Sequence, residues 1–352
     1  MDIKKILEVC VQYQASDVHV MVGIPPMLRL HGKLLTIPET KALTPKQAEE
    51  LIIPLLNEQQ SELVKIDREL DFSYTLPGGS RFRVNVYYEK GNLAAALRYI
   101  PAQIKTLEEL HLPPILGQLT QMKQGLVLVT GPTGHGKSTT IAAMIARINQ
   151  ERSEHIVTIE DPIEYIHNPI KSIISQRELH SDTHSWGVAL KSALREDPNV
   201  VLVGEMRDYE TIEAALTIAE TGHLVLATLH TNSAAQTIDR IVDVFPEKEQ
   251  QQIRGQLSLS LEAVIAQRLV PSEDGARTVV TEILLANPAV RSLIRDGKSH
   301  MLTNVMQTST DAGMRTLDMS LVEAYRAGKI SISVAREYAL NTEELNRLVS
   351  KG

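Results

Sequence analysis

The chain has 352 residues, 43% of them apolar and 22% charged, which excludes wholesale disorder and suits about two domains. Lys plus Arg number 36 against 43 Asp plus Glu, and a net charge of −7 gives no global field toward nucleic acid or anionic lipid. Cys10 is the only cysteine, so no intrachain disulfide and no cysteine-built zinc site can form, and aromatics at 4% leave little for a base-stacking surface.

A reducing, cytoplasmic setting without a nucleic-acid partner is therefore expected. Glu8 interrupts any signal-peptide stretch after Lys4 and Lys5. The longest run free of Asp, Glu, Lys and Arg, Thr221 to Ile238, is too rich in Thr, His, Asn, Ser and Gln to span a membrane.

Ile3, Ile6, Leu7, Cys10 and Val11 recur at helical spacing. Asp17–Val22 and Met27–Leu35 are β-rich, the second turning at His31-Gly32-Lys33. Thr44 before Pro45 opens a helix running towards Leu56, and Leu70–Leu76, Arg81–Tyr88 and Ala94–Ile100 follow as strands. These make a small α+β domain over 1–100, with a proline-bracketed linker at 101–114. In the domain over 115–352, Leu126–Thr130, Ile156–Ile159, Val200–Val203 and Leu224–Thr228 are continuous apolar runs separated by helical stretches. That is how a parallel sheet covered on both faces reads. From Glu247 onward helices are expected to dominate, with one strand at Thr278–Leu285.

Gly131-Pro132-Thr133-Gly134-His135-Gly136-Lys137-Ser138 has the spacing of a phosphate-binding loop, with an apolar strand leading in and Thr139–Asn149 leading out as a helix. Glycines let successive N–H groups curl toward phosphate oxygens, and the helix N-terminus adds its dipole. ATP with Mg²⁺ is the expected ligand: Gly131, Thr133, Gly134, His135, Gly136, Lys137, Ser138 and Thr139 would bind the nucleotide, Lys137 reaching the β/γ-phosphates and the Ser138 hydroxyl the Mg²⁺.

Further blocks narrow the class. Leu194-Arg195-Glu196-Asp197-Pro198-Asn199, running through Val200–Val203 into Gly204-Glu205-Met206-Arg207-Asp208, closely resembles the signature of the type II/IV secretion ATPase superfamily. Thr158-Ile159-Glu160-Asp161-Pro162-Ile163-Glu164-Tyr165 resembles its Asp box, and Gly222-His223-Leu224 through His230-Thr231-Asn232 its His box. Ala289–Lys298 is similar to a C-terminal motif of the type IV pilus retraction (twitching motility) branch. Extension and secretion relatives usually carry a four-cysteine zinc site, which one cysteine cannot supply. The family usually has Asp at Asn199 and commonly Ser at His135.

The resemblance implies a PAS-like N-terminal domain, then a RecA-like P-loop ATPase domain with a helical C-terminal extension. It further implies a ring-shaped homohexamer at the inner face of the cytoplasmic membrane, acting on an inner-membrane platform protein at the pilus base, with a retraction paralogue as a further partner. The alternatives are an assembly or secretion motor of the same superfamily and a regulatory scaffold with negligible turnover.

Glu205 closes a buried strand, where α/β sheets present ligand-contacting groups, and Gly204 occupies the place of a common Mg²⁺-binding Asp. Judged alone, Glu205 beside Arg207 could equally be a surface ion pair; the family signature gives it the attacking water. Glu160, Asp161 and Glu164 read alone as a solvated helix start, whereas the resemblance sets Glu164, and nearly as well Glu160, by Mg²⁺ and water. His230 would sense the γ-phosphate; His223, at an odd spacing from it, would be a satisfied polar residue. Strand arginines usually only protect an edge, but the resemblance implies that Arg81 and Arg98, and less so Arg83, reach a nucleotide across a domain or subunit junction.

Overall fold

The computed structural model describes residues 2–30, 32–100 and 103–350. It divides into two compact units, Met1–Gln103 with Pro162–Ile166, and Ile104–Asp161 with His167–Gly352.

The first unit is an antiparallel sheet of six strands: β1 (Asp17–Val20), β2 (Met27–Leu30), β3 (Lys33–Thr36), β4 (Glu69–Thr75), β5 (Arg81–Glu89) and β6 (Asn92–Ile100), in the order β3-β2-β1-β6-β5-β4. Alternation decides its faces. Phe82, Val84 and Val86 of β5, Val18 and Val20 of β1, and Leu97 of β6 turn inward and are buried, while Arg81, Arg83 and Asn85 take the other face. Helices Ile3–Gln12 and Pro45–Ile52 bring Ile6, Leu7, Cys10, Leu51 and Ile52 into the same core. The second helix opens on the expected Thr44 cap, closed reciprocally by Gln47, and yields to a 3₁₀ turn, Ile53–Leu55, before Leu56. A helix at Glu58–Asp67, capped by Asn57 and Gln60, is not visible as a pattern, because only Val64 of its residues is buried. The expected turn at His31 falls partly outside the described residues.

The second unit is built on a seven-stranded sheet of β7 (Gly125–Thr130), β8 (His155–Glu160), β9 (Ile173–Glu178), β10 (Val200–Val203), β11 (Leu224–Leu229), β12 (Leu261–Pro271) and β13 (Arg277–Leu285). The order is β13-β12-β7-β11-β10-β8-β9, parallel except for the antiparallel β12–β13 pair. Every residue of β7, β10 and β11 is buried, as a sheet covered on both faces requires. One layer packs Ile141, Met144, Ile145 and Ile148 of helix Lys137–Glu151, with Leu107 and Leu112, against one face of the sheet. Ile212, Leu216, Ile238 and Ile241 pack on the other. Val270 and Val280 root a small helical lobe through Leu317, Leu321 and Leu345.

Two strands escape the sequence pattern. β9 is a half-exposed edge. β12 lies in a stretch where helices were expected, since Leu, Ala, Gln and Arg all favour helix and its alternation is erased by burial on both faces. Its burial between β7 and β13 overrides local propensity.

Candidate nucleotide site

Because β7, β8, β10 and β11 run parallel, their C-terminal ends open on one edge, and the chain places its chemistry there. The loop after β7 carries Gly131 (φ +139°), Gly134 (φ +80°) and Gly136 (φ +84°) in backbone conformations that L side chains rarely adopt. Gly136 caps the helix that begins at Lys137, so Ser138 and Thr139 stand in its first turn. The Lys137 ammonium donates to the carbonyls of Gly131 (2.8 Å) and Pro132 (3.0 Å), holding the loop closed from within. This glycine-lined, N–H-rich cradle at a helix N-terminus fits a nucleotide's phosphates.

His135 does not point at the phosphate cradle. Its Nδ1 accepts from the Leu269 amide of β12 at 2.9 Å, which requires that nitrogen to be unprotonated. Burial, with Arg268, Arg277 and Lys137 nearby, holds the imidazole below its ordinary pKa, in agreement. The site's unforeseen member is Gln267, buried on β12: its Nε2 donates to the His135 carbonyl (2.8 Å) and its Oε1 accepts from the Thr140 hydroxyl (2.7 Å). With β12 read as helix, no sequence signal pointed to it.

Glu205 follows β10 and lies within a continuous polar chain. Its Oε2 accepts from Arg207 at 2.7 Å, its Oε1 lies 3.1 Å from His230 Nε2, and His230 Nδ1 lies 3.2 Å from the Thr133 hydroxyl of the phosphate loop. An ionised carboxylate only accepts, so in neutral His230 the proton sits on Nε2 and Nδ1 accepts from Thr133. Burial pushes the Glu205 pKa up, but the Arg207 bond and His230 outweigh it and the net shift is downward. Glu205 is thus held as an anion one residue away from the phosphate loop.

Gly204 is glycine for a steric reason. A Cβ there would stand 3.1 Å from the Ile159 carbonyl, 3.2 Å from Glu160 Cα and 3.3 Å from the Trp186 ring. The ends of β8 and β10 close on this point, which leaves the next residue as the first able to carry a carboxylate. Glu160 ends β8 and accepts from Thr158 (2.7 Å) and Gln176 (3.2 Å).

The structure therefore brings Thr133, His230, Glu205 and Arg207 into one network. Glu164, Arg81 and Arg98 belong to the other unit: Glu164 to its Pro162–Ile166 segment, Arg81 bonded to Ser73 (2.7 Å), and Arg98 to Asp17 (3.0 Å). Arg83 lies 3.8 Å from Asp71. His223 is satisfied locally by the Ile218 carbonyl (3.0 Å) and Thr221 (3.1 Å). On the C-terminal motif, Arg291 is no free basic residue, since it caps the helix Glu247–Ser260 through the carbonyls of Ser258 (2.9 Å) and Leu259 (2.8 Å) and pairs with Glu262 (2.9 Å).

Comparisons with known proteins agree with this geometry. Residues 106–276 match the family model of type II/IV secretion system proteins. The chain is 47% identical over 339 residues to the type IV pilus retraction ATPase PilT of Pseudomonas aeruginosa, covering 96% of this chain and 98% of that one. To the type IV pilus ATPase PilU of the same organism it is 42% identical over 353 residues, covering 100% of this chain and 92% of that one. A crystal structure of the pilus retraction motor PilT with bound ADP superposes with a TM-score of 0.92 at 45% identity, over 99% of each chain. The chain belongs to the type II/IV secretion ATPases, in the PilT family.

Proposed function

We propose that this chain is the ATP-hydrolysing subunit of a homohexameric ring that powers type IV pilus retraction. The observation that carries the reading is the Thr133–His230–Glu205–Arg207 network at the C-terminal edge of the parallel sheet. A carboxylate kept anionic beside a phosphate loop is suited to orient and polarise an attacking water, and its imidazole link to Thr133 makes its position depend on the loop. Lys137 would neutralise β/γ-phosphate charge, and Mg²⁺, supplying Lewis-acid stabilisation when bound, would be held by the Ser138 hydroxyl, with Glu160 and Glu164 towards its water shell. Arg81 and Arg98 would exchange Ser73 and Asp17 for the nucleotide of a neighbouring domain or subunit.

In this reading the ring sits at the cytoplasmic face of the inner membrane. It acts on a platform protein and is compatible with a paralogue in the same assembly. Among the described residues no helix is long and apolar enough to cross a membrane, so attachment would be through such partners. The 47% identity to PilT against 42% to PilU, together with the motif at Ala289–Lys298, favours the main motor over an accessory one.

Steady-state ATP hydrolysis across protein concentration tests the chemistry. Turnover should rise as subunits associate, and Glu205→Gln should lower kcat by about 10²–10³-fold while ADP affinity stays within a few-fold. Unchanged turnover in that variant removes Glu205 from the mechanism. Cells lacking the protein should be over-piliated; bare cells would make it an assembly motor.

A further inference from the structure

A loop rich in glycine is floppy by composition, yet phosphate binding requires its N–H groups to be aimed before the ligand arrives. Something outside the loop must set its shape. β12 pairs with β7 as far as Ala266 opposite Thr130 and then continues to Pro271, so its next residues, held by β13 on one side, run along the loop on the side where β7 has ended. At Gly131 an added Cβ would meet the Gln267 carbonyl oxygen at 2.3 Å, and at Gly136 the Gln267 Nε2 at 2.9 Å. Both ends of the cradle are therefore moulded on one residue.

We propose that Gln267 is the positioning residue of the phosphate loop: its amide group joins the His135 carbonyl, before the last loop glycine, to Thr140 in the first turn of the helix, and so fixes the loop in its phosphate-receiving shape. The glutamine is matched to the task because its carboxamide offers a donor and an acceptor from one rigid plane. A buried amide with both functions satisfied at 2.8 and 2.7 Å is expensive to place and costly to disturb. Nothing in the core demands a polar residue here: the neighbours Ala263, Val264, Ile265 and Ala266 on the same strand are apolar and buried. Its polarity serves the loop.

The inference rests on the nucleotide reading of the site, and the experiment separates the two. Binding of a fluorescent ADP analogue is titrated into the full-length wild type, Lys137→Ala, Gln267→Met and Gln267→Glu, alongside melting temperatures without nucleotide and KM and kcat for ATP. Absence of binding in the wild type, or wild-type binding in folded Lys137→Ala, would defeat the nucleotide reading itself. With that reading intact, Gln267→Met, which keeps the volume but neither bond, should weaken the analogue at least tenfold and raise KM more than it lowers kcat. Gln267→Glu keeps the acceptor for Thr140 but cannot donate to the His135 carbonyl, and it should share the loss. It also carries the test should Gln267→Met not fold. A folded variant of either kind with ADP-analogue affinity and KM within twofold of wild type overturns the proposal, whatever its melting temperature.

Discussion

The two ends of the seven-stranded sheet are both polar and both hold histidines, yet they use them in opposite ways. At the N-terminal end His155 Nδ1 stands 2.8 Å from the Glu196 carbonyl and 3.3 Å from that of Asp197, while Asn199 accepts from the His155 amide at 2.8 Å and donates its own amide to the His155 carbonyl at 2.9 Å. Each of these polar groups is paid off against backbone. At the C-terminal end Thr133, His230, Glu205 and Arg207 bond to one another through side chains, with His230 and Arg207 42% and 71% exposed. Backbone partners fix a position once the strands have paired, whereas side-chain partners can be exchanged for a ligand's atoms. The first arrangement builds the sheet and the second can respond to what binds it.

The largest contrast should come from Gly131→Ala. The new Cβ must occupy space 2.3 Å from the Gln267 carbonyl, at a φ of +139° that alanine avoids, and a backbone atom cannot rotate aside. The loop has to deform. ADP affinity is expected to fall by about two orders of magnitude, in a protein whose circular dichroism spectrum remains that of the wild type. Isothermal titration measures it, and near-normal affinity would mean that β12 yields to the loop, reversing the direction of control inferred here.

How much of this was legible beforehand differs between the two ends for a physical reason. The phosphate loop, Glu205 and His230 are short-range features: glycine spacing and a carboxylate or imidazole at the end of an apolar run follow from positions along the chain. Gln267 is non-local, joined to His135 and Thr140 across more than a hundred residues, and its strand carries helix-favouring residues. The Thr133–His230 link is equally long-range, so the placement of His230 at a strand end could be read but its partner could not. Asn199 reads as a departure from a family pattern, and only the pairing of β8 with β10 shows that its side chain serves the His155 amide.

A smaller effect is expected from acid at the C-terminal end. His135 must accept a hydrogen bond from Leu269, so a proton on Nδ1 destroys the contact. Because the folded protein holds the His135 pKa below 6.5, its stabilising contribution is complete above that pH and is lost as pH falls from there toward the depressed value. ADP affinity should therefore drop several-fold between pH 7.5 and 5.5 in the wild type and by less in His135→Ala, whose starting affinity is already lower. Equal slopes in the two proteins would remove His135 as the acid-sensitive point.

The smallest effect should be Asn199→Asp, and its smallness is informative. A carboxylate keeps the acceptor for the His155 amide, and the backbone bonds at this position, including that from the Leu224 amide at 3.1 Å to the Asn199 carbonyl, do not depend on the side chain. The exchange adds a negative charge near Glu196 and Asp197, in surroundings open enough for water to screen it, so stability should move by no more than about 0.5 kcal/mol. Asn199→Ala differs: it leaves the His155 amide unpaired and should cost about 1 kcal/mol. Neither should change kcat, because both act at the end of the sheet that carries no side-chain network to the phosphate loop. A twofold or greater change in kcat for Asn199→Asp, at unaltered melting temperature, would mean that β10 transmits strain along its length to Glu205, and the division of labour between the two ends would fail at that strand.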